Sequence, residues 1–88
     1  MRGLSTIDAE VLAISVLTET ISDERRAQRF LDLSGIDTDE LRRRAGEPAL
    51  LAAVLRFLEA HEPDLIDVAG ALGMKPEQLV AAREALEA

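Results

Sequence analysis

Apolar residues along the chain return every three or four positions, in six stretches parted by short polar joints. That spacing predicts helices throughout. The first runs from about Ile7 to Thr20, with Ser5 and Asp8 spaced as a capping pair. Ile7, Val11, Ile14 and Ile21 trace one face, which Leu12, Val16 and Leu17 widen. So broad a stripe predicts packing against more than one neighbour. The second helix runs from about Asp23 to Ser34, capped by Ser22 or Asp23, with Ala27, Phe30, Leu31 and Ser34 on one face. The third is short, about Thr38 to Ala45. Asp37 and Glu40 have the spacing of a capping box at its start. The fourth, Pro48 to about Ala60, is apolar almost all round between Ala49 and Leu58 and is predicted to lie at the centre. The fifth, from near Pro63 to Leu72, turns Leu65, Ile66, Val68, Ala69 and Leu72 inward. The sixth starts at Pro76 and groups Leu79, Ala82, Arg83 and Leu86 on one side.

One joint occurs twice. Gly35-Ile36-Asp37-Thr38-Asp39-Glu40-Leu41 returns as Gly73-Met74-Lys75-Pro76-Glu77-Gln78-Leu79. Each reads as a helix stop, a tight turn and a new helix start, with glycine where a left-handed residue is wanted. Leu31, Gly35 and Leu41, and again Ala69, Gly73 and Leu79, have helix-turn-helix spacing. The fold class expected is therefore all-α: a compact orthogonal bundle of five or six short helices with helix-turn-helix-like corners. With joints this short, residues 1–88 form a single helical domain whose ordered core spans about 6–87.

Composition sharpens this. Leu and Ala supply 14 residues each, and Phe30 and Phe57 are the only aromatics, so the core must be aliphatic. The longest apolar run, Ala49 to Leu55, falls far short of the roughly 20 residues of a membrane span. There is no cysteine and no secretory h-region near the start, so a cytoplasmic protein without membrane attachment is expected.

The net charge of -7 is unevenly spread: residues 1–24 carry -4, residues 25–44 carry +2 and residues 45–88 carry -5. An acidic field opposes nucleic acid and anionic lipid. The exception is an arginine hairpin, Arg25, Arg26 and Arg29 on the second helix and Arg42, Arg43 and Arg44 on the third. Guanidinium pairs well with carboxylate and phosphate, so these six are the candidate interaction patch. A solvated face paired locally with Asp32, Asp39, Glu40 and the acidic first helix explains them better.

Catalytic chemistry finds little footing. His61 is the only histidine and reads as a helix-end residue rather than a metal ligand. Ser5, Ser22 and Ser34 read as caps or turn residues, and Ser15 has no matched base. The pair Asp37/Asp39 is better explained by capping than by hydrolysis. No cofactor, metal or catalytic residue is expected.

The stretches Arg29-Phe30-Leu31-Asp32-Leu33-Ser34-Gly35-Ile36, Leu41-Arg42, Leu50 to Leu58 and Ala71-Leu72-Gly73-Met74 stand in an order that resembles a small alphaproteobacterial family, domain of unknown function 3572, over about residues 7–86. That family has no assigned activity, so the resemblance carries no site residue with it.

The reading that follows is a non-enzymatic protein–protein interaction module. It would meet another protein through the arginine hairpin or through uncovered aliphatic surface, or pair as a homodimer that covers the fourth helix. The alternative is a nucleic-acid binder that places the third helix in a groove through its arginines, which the acidic balance disfavours.

Overall fold

The computed structural model describes residues 5–88, and among them the chain forms six helices and no strand. They are α1 (Thr6–Ile21), α2 (Glu24–Ser34), α3 (Thr38–Arg44), α4 (Pro48–Glu59), α5 (Glu62–Ala71) and α6 (Pro76–Glu87). The all-α bundle is as the periodicity predicts. Residues 1–4 of the expected domain lie outside the described residues.

Side-chain caps set the starts of the first three helices. The Asp8 amide donates to Ser5 Oγ at 3.1 Å, the Arg26 amide to Asp23 Oδ1 at 2.9 Å, and the Glu40 amide to Asp37 Oδ1 at 2.8 Å. The capping box expected at Asp37 is completed on one side only, because the Glu40 carboxylate turns to Arg44 Nη1 at 3.1 Å. Helices α4 and α6 start instead at Pro48 and Pro76, and α5 carries Pro63 as its second residue; a proline's missing amide costs nothing in a first turn. The Lys75 amide donates to Gln78 Oε1 at 2.8 Å and closes the entry to α6.

Both glycine corners form. Gly35 has φ 74° and Gly73 has φ 67°, in the left-handed region where a Cβ is strained. Their hydrogen bonds differ. At the first, the Gly35 amide donates to Leu31 O at 3.0 Å. At the second, two bonds close the turn, from the Met74 amide to Ala69 O at 2.8 Å and from the Gly73 amide to Gly70 O at 3.1 Å.

Helix α4 is the centre, with α1, α5 and α6 packed on it. Leu50, Leu51, Val54, Leu55 and Leu58 are fully buried. Phe30 from α2, Leu41 from α3, Val68 and Ala69 from α5, and Leu79 and Ala82 from α6 complete one apolar cluster with α1. The buried face of α1 is not the one its large residues mark. Ala9, Ala13, Val16, Leu17 and Thr20 face inward. Ile7, Val11, Ile14 and Ile21 face out, at 73, 63, 46 and 42% exposure. The reason is steric. Helix α1 packs against α4 and α6 at once, and alanine lets the backbones approach where isoleucine would hold them apart. Thr20 is tolerated inside because its hydroxyl donates to Val16 O at 2.7 Å. Ile66, expected inside α5, is also half exposed.

Candidate functional site: an apolar groove with a basic rim

Helix α2 reaches the interior through two residues, Arg26 and Phe30. Arg26 belongs to the predicted patch but is buried. Its Nε donates to Thr20 O at 3.0 Å and its Nη2 to Glu19 O at 2.7 Å. It therefore adds donors to the last carbonyls of α1, of which Glu19 O also takes the Ser22 amide and hydroxyl, and a cation there meets the negative end of the helix dipole. Arg26 leaves the interaction patch for this structural reason.

One turn later Arg29 has a different partner. Its guanidinium pairs with the buried carboxylate of Asp64 on α5, and its carbon lies 5.6 Å from the centroid of Phe57. Asp64 Oδ2 also meets His61 Nδ1 at 3.1 Å, so one carboxylate ties α2 to the start of α5. Phe57 packs edge-on against Phe30, with ring centroids 5.4 Å apart and planes at 74°.

These residues border an open groove of about 500 Å³ between α2 and α4, which ends at the α4–α5 joint. Phe30, Ala53 and Phe57 form its floor, and Leu33, Ser34 and Ala60 its walls. Every ionisable side chain that lines it is a base: Arg29, Arg56 and His61. Leu33, on the lip, is 75% exposed. Chemically the groove offers apolar contact within and guanidinium donors along the edge.

The rest of the predicted patch is scattered. Arg25 and Arg43 are exposed and make no ion pair among the described residues. Arg42 lies 3.5 Å from Asp39, both well exposed. Arg44 is held by Glu47 at 2.9 Å and Glu40 at 3.1 Å, and these hydrogen bonds, Glu47's first, raise its proton affinity further. Arg42 and Arg44 of α3 are thus matched within three or four residues, and Arg29 is matched across the fold. The six arginines of the hairpin thus differ in burial and in pairing.

A second network ties α6 to α4. Arg83 clasps Glu59 at 2.7 and 3.1 Å and reaches Glu87 at 2.9 Å. Arg56 takes both oxygens of Glu87, at 2.5 and 2.7 Å. Hydrogen bonds from Arg56 first, then from Arg83, hold the Glu87 carboxyl below the usual carboxylate range. Arg56 is thereby positioned at the groove's edge. Spacing along the chain marks neither the groove nor this network. The groove's one signal was the placement of the chain's two aromatics on the second and fourth helices.

His61 has Asp64 as its acidic neighbour, and among the described residues no three His, Cys, Asp or Glu side chains converge as a metal site would need.

Six short helices with two glycine corners, folded on one buried aliphatic helix and bearing an apolar groove, define a small helical domain of the orthogonal-bundle class. Residues 6–88 match the family model described as "Protein of unknown function (DUF3572)", and the chain belongs to that family. Comparison with curated proteins and with solved structures gives no match. None of the helices in the described residues is long and apolar enough to cross a membrane.

Proposed function

We propose that this protein is a non-enzymatic interaction module of the cytoplasm, and that its groove receives an acidic amphipathic helix of another protein. The observation that carries the reading is the Phe30/Phe57 groove, apolar inside and edged only by bases. An amphipathic helix fits such a trough by laying apolar residues at helical spacing along the floor. Acidic residues on its flanks would meet the guanidinium groups of Arg29 and Arg56, which have donors to spare beyond their internal partners. The hydroxyl groups favour a non-catalytic role: Ser15, Thr18, Thr20, Ser22 and Ser34 all donate to carbonyls of their own helix. Protein is favoured over nucleic acid because Asp39, Glu40 and Glu47 stand beside the α3 arginines and would repel a phosphate backbone.

The test is selection of binders from a displayed library of random helical peptides. Wild-type protein is the bait, and the enriched peptides are re-measured against Leu33→Asp. Leu33 is exposed, so this change leaves the fold intact while placing an acid on the lip. The expected winners carry apolar residues three and four apart with Asp or Glu beside them, and bind Leu33→Asp at least about tenfold more weakly, a difference of about 1.4 kcal/mol. Failure to enrich any peptide, or equal binding to the variant, refutes the groove as the site.

A further inference from the structure

Two guanidinium groups stand on the rim of the groove, Arg29 and Arg56, and the fold ties them down in different ways. Arg29 belongs to the interior as much as to the rim. The side chain of its partner Asp64 is only 12% exposed, and its guanidinium carbon lies 5.6 Å from the Phe57 centroid. Withdrawing it would strip a buried carboxylate of its guanidinium, a strongly unfavourable change. Arg29 therefore keeps Asp64 when the groove fills.

Arg56 stands in the open. Its side chain is 62% exposed, and among the described residues it hydrogen-bonds through that side chain to Glu87 alone. The pair is bidentate: Nε donates to Oε2 at 2.5 Å and Nη2 to Oε1 at 2.7 Å. This is the edge that a guanidinium offers to any well-placed carboxylate. Glu87 has a second cation, because Arg83 Nη1 donates to its Oε1 at 2.9 Å. Arg83 in turn grips Glu59 through Nε and Nη2, at 2.7 and 3.1 Å. If Arg56 lets go, Glu87 keeps Arg83 and Arg83 keeps Glu59. Arg56 is thus the one member of the network that can change carboxylates without leaving another charge unpaired.

We infer that Arg56 is the specificity-determining residue of the groove, and that Glu87 holds the place of a carboxylate from the occupant. The inference rests on the groove reading proposed above. On binding, the occupant's acid takes the Nε/Nη2 edge of Arg56, and Glu87 falls back on Arg83. The new pair forms where the occupant excludes water, which strengthens it over the half-exposed pair that it replaces. Glu87 also acts as a threshold. An acid that reaches the edge bidentately displaces it, whereas an amide or a poorly placed acid does not. The preference for an acid is therefore modest in wild type and grows when the competing carboxylate is removed.

The experiment takes the most enriched peptide of the displayed library and changes each of its Asp or Glu residues singly to Asn or Gln. Dissociation constants are measured by fluorescence anisotropy against wild type, Glu87→Gln and Arg56→Gln. At one peptide position the amide should bind wild type about threefold more weakly than the acid, and Glu87→Gln about tenfold more weakly, in keeping with exposed and bidentate ion pairs. Arg56→Gln should bind the two peptides equally. The amide peptide makes no use of Arg56 and should bind all three proteins alike, so a damaged fold cannot imitate the pattern. An Arg56→Gln protein that still prefers the acid, or a Glu87→Gln protein that discriminates no better than wild type, overturns the inference and leaves the groove standing. A wild type that enriches no peptide overturns the groove and the inference together.

Discussion

The two glycine corners start from nearly the same local chemistry and end in different places. Each has glycine at positive φ, a four-residue approach from a small or aliphatic residue, and a leucine six residues on. At the α5–α6 corner, Ala69 and Leu79 are both fully buried, two backbone bonds close the turn, and α6 packs on α1 and α4. At the α2–α3 corner, Leu31 is partly buried, one bond closes the turn, and Leu41 is the only buried residue of a seven-residue helix. Local sequence sets the bend, and the residues on the outgoing helix decide whether the bend is built into the core. Helix α6 brings Leu79 and Ala82 inward, whereas α3 spends three of its seven positions on arginine.

The sharpest way to break this contrast is to truncate the two equivalent leucines. Leu79→Ala should cost about 3–4 kcal/mol, the usual range for a fully enclosed leucine. Leu41→Ala should cost about 2 kcal/mol or less, because α3 can settle into the space. Urea titrations of both variants check this, and equal losses would mean that α3 is as integral as α6.

The glycines should behave alike where the leucines do not. Gly35→Ala and Gly73→Ala each force a Cβ into the left-handed region, at about 1–2 kcal/mol. Neither site has an atom within 4 Å of the new Cβ, so crowding adds nothing and the two melting shifts should be similar. A shift at Gly73 alone would show that the outer corner relaxes to another conformation in solution.

The smallest effect concerns the far end of α6. Folding lowers the proton affinity of Glu87 through Arg56 and Arg83, so the unfolded chain takes up that proton first as the solution is acidified. The stabilisation is complete above the usual carboxylate range and drains away as the pH falls through the folded value. Glu87→Gln should flatten the acid limb of a melting-temperature-against-pH curve, and an unchanged acid limb would show the clasp to be open in solution.

Much of this architecture is legible in the residues. The caps at Ser5, Asp23 and Asp37, the three prolines, both glycine corners and the central place of α4 follow from local rules that need no knowledge of neighbours. The orientation of α1 does not. Periodicity finds the stripe of Ile7, Val11, Ile14 and Ile21 but cannot know that two helices lie against the opposite face, which Ala9 and Ala13 share with Val16, Leu17 and Thr20. Arg26 looks like its neighbours in sequence, and only the tight joint after α1 turns it back onto the Glu19 and Thr20 carbonyls. The groove is a property of how α2 and α4 stand to each other, and no spacing along one helix encodes it.

The alanine seam of α1 has an evolutionary corollary. Because Ala9 and Ala13 hold the helix to the bundle from behind, Ile7 and Val11 in front, the most exposed of the four aliphatic side chains there, add little to the melting point. Their identities can drift, swap charge or acquire new shapes at almost constant foldedness, whereas a single methylene added to either alanine would wedge the bundle open. One helix thus divides its two sides between a face fixed by close packing and a face that packing leaves largely free.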